Sequence, residues 1–434
     1  MDNTFVITRP EPGFRVCSYH TDRFKTGILS VNLVVPLAGN VAEKSLLPSL
    51  LCASCQEYPD LLSLNRKLAE LYGAELTPSA SKHGENLVLR ITMTMIGDRF
   101  SLDGESISVE CAKLLCKALF EPNVENGAFL ASEVEREKRI RLDRIEALKS
   151  SKRAYAQKKM LELMCADEAY SLSILGEEDD IRALTPEQLY AAWQELLKTA
   201  FVQLQVVGDL EVEPITALFR EYFDKVEDRN VVRGKTVVIP SAETVKRGVE
   251  EQDIAQSKLV MGFRCGMHEP FENYAAMRTF ADLFGGGTYS RLFLNVREKQ
   301  SLCYYCAARL TAAKGILTVQ SGVETENAEK AETEILRQLD EMKAGGVTAE
   351  DLAKSQRSME DFFLSVFDTP EELDGWLFSQ VADDDFQTPE DLVAEMKNVT
   401  VEQVVEMANN MTLDTVFLLK GTGTADDGEV EYDA

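Results

Sequence analysis

Histidine is scarce in this chain. Its 434 residues contain three, His20, His83 and His268, and no two are close in sequence. A zinc site built on a histidine pair has no sequence basis, and a cysteine nucleophile has no imidazole placed beside it. Long apolar runs are missing too. None reaches the roughly 18 residues of a membrane-spanning helix, so no membrane association is expected. The first stretch, "MDNTFVITRPEPGF", lacks a basic patch followed by an apolar core. No signal peptide is therefore expected, and the expected address is cytoplasmic. Positive charge is in deficit: 46 Lys and Arg face 73 Asp and Glu, a net charge of −27. Such a surface repels phosphates, which argues against nucleic acid as a partner. It attracts basic peptides if the charge also lines a cavity, and otherwise serves solubility.

The chain does have enough apolar residues, 45% of the total, for two cores. Each half reads as strand, helices, hairpin, long helices, strand. In the first half, "GILSVNLVVPLAGN" is an apolar strand and 74–95 is a strand pair turned at "KHGEN". A long charged helix with a break near Ser150 follows, then a helix capped by Thr185 and Pro186, then "AFVQLQVVGDL". The second half repeats this order from "QSKLVMGFRCGM" to "DTVFLLKGTG". The expected fold is therefore α+β, a duplicated domain with helices packed on a largely antiparallel sheet. The expected divisions are a first domain at 1–224, a linker at 225–250, a second domain at 251–425 and an acidic tail at 426–434.

Nine cysteines in a cytoplasmic chain are expected as thiols. Two C-x-x-C pairs, Cys52 with Cys55 and Cys303 with Cys306, raise a four-thiolate zinc site. The first pair lies in an apolar helical run and is expected to pack as small hydrophobes. The second lies on a strand, where positions three apart face opposite sides, so it would need a bend to chelate one ion.

The densest chemistry is "FGGGTYSRLFLNVREKQSLCYYC", residues 284–306. The glycines lack the spacing of a phosphate loop and follow a helix rather than a strand. They are expected to end one helix and let the next approach closely. Arg297 falls in the last turn of a short helix, and Tyr304 comes seven positions later, early in a strand. A rigid fork of donors beside a hydroxyl on a stiff ring suits a peptide carbonyl or a developing oxyanion. The plainer alternative is a helix-end arginine near a half-buried strand tyrosine.

This stretch resembles the second-domain signature of the insulinase (pitrilysin) family, which includes the mitochondrial processing peptidases. Gly285, Gly286 and Gly287, then Ser290, Arg291, Leu292 and Phe293, then Arg297, Glu298 and Lys299, then Leu302 and Tyr304 match in register. With the order of elements and "VVGDL" closing the first half, the resemblance spans nearly the whole chain. It implies two homologous processing-peptidase-like α+β domains forming half of a clamshell. It also implies that Arg297 and Tyr304 bind the substrate backbone. Active members carry H-x-x-E-H on the first helix of the first half and a further glutamate on a later helix. Here the matching positions hold Ser45, Pro48 and Ser49, and an ungapped placement puts Arg144, beside Asp143, where the last ligand belongs. Serine is a poor zinc ligand, proline offers no carboxylate and arginine repels the cation. No metal or other cofactor is expected in this chain, nor peptide hydrolysis by it alone.

The resemblance then implies a non-catalytic, substrate-gripping subunit of a two-chain zinc peptidase. Its partner would be a homologous chain that carries H-x-x-E-H and the zinc, and its substrate a peptide, possibly basic. Two alternatives stand beside it: a stand-alone peptide-binding or chaperone-like protein, and a scaffold subunit with no protease role. The choice between heterodimer and homodimer is left open by the sequence.

Overall fold

The computed structural model describes residues 4–381, 383 and 385–423. The expected acidic tail at 426–434 lies outside the described residues. The fold is α+β, with two antiparallel-rich sheets and helices packed on them. The chain divides into two compact units. The first comprises Met1–Ile145, Leu172–Lys235 and Leu364–Pro389. The second comprises Glu146–Ser171, Thr236–Phe363 and Glu390–Ala434. The chain passes between the units at 145/146, 171/172, 235/236, 363/364 and 389/390. Residues 146–171 and 364–389 each belong to the unit built mainly from the other half of the chain. The segment around 230–245 is extended without regular pairing, but Lys246–Gln252, at the end of the expected linker, is an edge strand of the second sheet.

The first sheet runs Phe5–Glu11, Phe14–Tyr19, Phe201–Val207, Thr26–Pro36, Asn86–Ile96, Glu75–His83. The second runs Lys246–Gln252, Thr412–Gly421, Ser257–Arg264, Ile316–Val323, Cys303–Thr311. In each sheet one pair is parallel, Phe14–Tyr19 with Phe201–Val207 and Lys246–Gln252 with Thr412–Gly421, and the other neighbours are antiparallel. Connectivity is the same in both, and the first sheet adds the edge strand Phe5–Glu11. The duplication read from the pattern of elements is thus a duplication of topology.

Both sheets are covered on both faces, which is why their central strands read as unbroken apolar runs rather than alternating ones. In the first unit, Leu29, Val31 and Leu33 face a helical core, while Ile28 and Val34 face Leu373, Leu377 and Val381. Buried polar groups pin the 364–389 segment there. Arg15 donates to the carbonyls of Gln380 at 2.9 Å and Val381 at 3.0 Å, Gln203 donates to Leu377 O at 3.0 Å, and Arg90 pairs with Asp374. In the second unit, Leu259, Met261 and Phe263 face one core, and Val260, Phe417 and Leu419 face Ala156, Met160 and Met164 of the helix Lys152–Met164.

That helix ends at a buried ionic cluster. Arg264 lies 2.6 Å from Glu168 and 2.7 Å from Asp414, and Lys314 lies 2.7 Å from Glu168. Burial by itself would raise the Glu168 carboxyl, but the hydrogen bonds from Arg264 and Lys314 prevail and hold it below its ordinary value. A depressed carboxylate stabilises the fold above its unfolded pKa, and that contribution is lost as pH falls through the folded value. Glu168→Gln leaves two buried cations short of a counter-charge, and a loss of roughly 3–5 kcal/mol is expected. Urea unfolding of the two proteins between pH 7 and pH 3 checks both points: the wild type loses stability on acidification, and the substituted chain starts lower and loses less.

Candidate functional site

In the second unit, helix Tyr274–Gly285 packs on strand Cys303–Thr311, and Gly285 permits the contact. A Cβ at that position would stand 2.6 Å from both the backbone nitrogen and the Cβ of Ala308. The close approach expected from the sequence is that of the next helix; at Gly285 the close approach is instead to a strand. The following segment, Leu292–Lys299, is a π-helix, an uncommon form frequent at functional sites. Arg291 anchors its start by donating to Gly346 O and lying 3.7 Å from Asp351. Asn295 ties its middle to Gln338 at 2.8 Å. Its end turns sharply. Ser301 adopts φ 50°, and the amides of Ser301 and Leu302 return to the carbonyls of Arg297 and Val296 at 3.1 Å each.

The strand then begins with a β-bulge. Cys303 pairs with Val323, whereas Tyr305 pairs with Gly322, so Tyr304 is the extra residue. A bulge re-aims the side chain it extrudes. Tyr304 is 54% exposed, and its hydroxyl donates to Glu324 at 2.6 Å, a bond that raises the phenol above its ordinary pKa. Arg297 lies over the ring of Phe293 at 4.8 Å, with its Nε 3.7 Å from the Glu298 carboxylate. Arg297 and Tyr304 line one open cavity of about 410 Å³ together with Glu298, Ser301, Leu302, Cys303, Glu324 and Asn327. The turn therefore brings together the two residues singled out from the sequence. Sequence reasoning missed Glu324, which comes from the next strand's end, and it missed the bulge. The cavity holds two carboxylates to one guanidinium.

The degenerate positions lie in the first unit. Pro48 has no N–H to continue a helical ladder, and the segment splits into Val41–Ser45 and Leu47–Leu51. Ser45 and Pro48 are buried and Ser49 is half-buried. Arg144 is exposed. The arginine that faces Ser45 is Arg141, one turn earlier on helix Ala131–Ser150, donating to Ser45 O at 2.7 Å, Ser45 Oγ at 3.3 Å and Ile174 O at 3.2 Å. Burial pushes this guanidinium down to about 10. Glu137, on the same helix, lies near enough to Cys52 to add to the upward shift that burial gives that thiol. A buried cation, two serines and a proline do not fit zinc. Among the described residues no group of three His, Cys, Asp or Glu side chains is placed to hold a metal ion.

The comparisons agree with this geometry. Residues 183–359 match the family model described as the peptidase M16 inactive domain. Over 403 residues the chain is 32% identical to the probable inactive metalloprotease YmfF of Bacillus subtilis, covering 93% of this chain and 94% of that protein. The chain belongs to the M16 (insulinase-like) peptidase family, as an inactive member. A conserved protein from Enterococcus faecalis V583 has the same fold, with a TM-score of 0.86 and 24% identity over 98% of this chain and 100% of that one. A peptidase M16 inactive domain from Pseudomonas fluorescens aligns with a TM-score of 0.78 and 18% identity over 97% and 99% of the two chains.

Two outcomes are expected of this M16 homologue. Gly285→Ala forces a Cβ into the backbone of the strand that carries Tyr304, at a cost of about 1–3 kcal/mol, read as a lower melting temperature. Arg141→Leu leaves the buried Ser45 carbonyl without its donor and costs about 1–3 kcal/mol, while a chelator leaves the wild-type melting temperature unchanged.

Proposed function

We propose that this chain is the non-catalytic, substrate-gripping subunit of a two-chain M16 zinc peptidase. The observation that carries the reading is an asymmetry within one chain. The Arg297–Tyr304 pair opens onto a shared cavity with its family spacing intact, while the first-half positions hold Ser45, Pro48 and Ser49 against the Arg141 guanidinium. In this reading the partner is a homologous chain carrying H-x-x-E-H and the zinc, and the two units here form half of a clamshell around a peptide.

The side chains define the grip. The Arg297 fork, stacked on Phe293, meets a peptide carbonyl, and its planar donors keep the carbonyl's orientation. Tyr304 gives up its bond to Glu324 and donates to the same backbone. The freed Glu324 and the neighbouring Glu298 then face the peptide, which favours lysine or arginine near the grip. No helix among the described residues is long and apolar enough to cross a membrane. The net charge of −27 argues against nucleic acid, and a cytoplasmic site of action is part of the proposal.

Arg297→Ala is expected to lower cleavage by the assembled pair about 100-fold, the scale of losing one oriented donor at a reacting carbonyl. The melting temperature of the isolated chain should stay within a degree or so of wild type, because Arg297 is 41% exposed and its ion pair is with the adjacent Glu298. Unchanged cleavage would sink the assignment. A tagged pull-down should bring down a chain of similar length with H-x-x-E-H in near-equal amount. The second reading, peptide binding without cleavage, is favoured by a cavity complete within one unit. It requires the isolated chain to bind a labelled basic peptide and to elute without such a partner.

A further inference from the structure

The bulge that extrudes Tyr304 has a second effect. On a regular strand Cys303 and Cys306 would face opposite sides, but the extra residue restores their parity. Cys303 pairs with Val323 and Cys306 with Ser321, two positions apart, and both cysteines pack against the same apolar core. The bend that the C-x-x-C spacing needs is therefore present, and the two thiols are close enough to influence each other's titration. Their settings differ. Cys306 is buried, whereas Cys303 is half-buried and lines the cavity with Arg297 and Tyr304. The Cys306 thiol, helped by Ser321 and the Arg297 charge, holds the Cys303 thiol below its ordinary value despite its burial. Burial pushes the buried thiols the other way, Cys17 to about 11 and Cys111, Cys165 and Cys265 to about 12. A partly exposed thiol near a cation, next to a second thiol, is the setting of a redox-active pair rather than of packed hydrophobes.

We propose that Cys303 and Cys306 form a reversible intrachain disulfide that reshapes the Arg297–Tyr304 cavity, with a peroxide or a low-molecular-weight disulfide as the oxidant. With hydrogen peroxide, the Cys303 thiolate attacks one oxygen and breaks the O–O bond, giving a sulfenic acid and hydroxide. The Cys306 thiol transfers its proton to that hydroxide, forming water, and its sulfur attacks the sulfenic sulfur. The S–S bond forms, the S–OH bond breaks, and the leaving hydroxide takes up the proton first lost from Cys303. Two thiols and one peroxide give one disulfide and two waters, with two electrons passing from sulfur to oxygen. A dithiol reductant reverses it. Closing an S–S bond of about 2.05 Å across the bulge tightens it. Tyr304 sits in that bulge and must shift against Glu324. The disulfide chemistry is independent of the peptide grip, and only its effect on binding rests on that reading.

The test treats the reduced, full-length native chain with oxidised glutathione or hydrogen peroxide, alkylates the remaining thiols after denaturation, and digests with trypsin. Cleavage after Lys299 and Arg309 puts both cysteines in one peptide, "QSLCYYCAAR". That peptide is expected to lose two hydrogens and escape alkylation, and to regain both alkyl groups after dithiothreitol. Peptides carrying Cys111 and Cys265 should stay fully alkylated throughout. In Cys306→Ser the same peptide should carry one glutathione on Cys303. Hydrogen exchange across 300–306 should slow in the oxidised wild type, which reads the change in shape whether or not a peptide binds. A doubly alkylated wild-type peptide under oxidant that fully oxidises free dithiothreitol overturns the proposal. So does a wild-type peptide glutathionylated at Cys303 with no internal disulfide, or a disulfide that leaves exchange across 300–306 unchanged. If the disulfide forms and slows exchange but the reduced chain binds no peptide, it is the grip that fails and not this site.

Discussion

Each sheet in this protein is buried on both faces, and the second cover is supplied from a distant part of the chain. A single helical layer would leave Val260, Phe417 and Leu419 in one unit, and Ile28, Val34 and Val207 in the other, facing water. Burying such side chains is worth roughly 1.5–3 kcal/mol each, so the cover is a condition of folding. It also has to be the right segment. The covered faces carry polar groups as well, Ser30 and Gln203 in one sheet and Arg264 in the other, which only specific carbonyls and carboxylates satisfy. An apolar helix placed there without them would strand buried charge. This is why the helices 152–164 and 370–379 are fixed in place, and with them the strands that carry the candidate site.

From that frame the site follows through a few local departures from regularity. Gly285 lets a helix lie directly on the strand, the π-helix sets the direction of Arg297, Ser301 takes a left-handed turn, and a bulge expels Tyr304. Each departure costs something locally. Together they place a guanidinium, a phenol and two carboxylates around one cavity that no regular helix–strand junction would make. Strain concentrated in some twenty residues of an otherwise regular unit agrees with a site shaped for binding.

Much of this was legible in the sequence. The order of elements, the hairpin at "KHGEN", the cap at Thr185 and the break beside Ser150 follow from local chemistry, and all are present. The pairing of Arg297 with Tyr304 was implied by the family resemblance, since their spacing alone left a plainer alternative open. The first hairpin, Phe5–Glu11 with Phe14–Tyr19, carried no such signal, because its outer strand is at most half-buried and contains Pro10. The exchange of segments between units was invisible for a different reason. An amphipathic helix announces that it has an apolar face but not which sheet will take it. The bulge had a faint signal in the two cysteines, since both suit the core while their spacing forbids a shared face. The Glu324 contact depends on where two strand ends meet, which no local pattern encodes.

The lost metal site carries its own physical lesson. Removing zinc ligands from a buried helix end leaves carbonyls and an electrostatic vacancy, and simple deletion would destabilise the fold. Here the Arg141 guanidinium lies against Ser45. It donates to Ser45 O and Ile174 O, and Glu137 on the same helix offsets part of its burial. A planar cation with several donors can satisfy carbonyls but cannot polarise water or accept a new ligand. The substitution keeps the architecture and forfeits the chemistry. It also makes the change hard to reverse. Histidines restored at 45 and 49 would meet a buried positive charge, and histidine must be neutral to bind metal while the metal itself would be repelled. A chain in this state can retain a function only through the parts of the fold that never depended on the ion, and the cavity around Arg297 and Tyr304 is such a part.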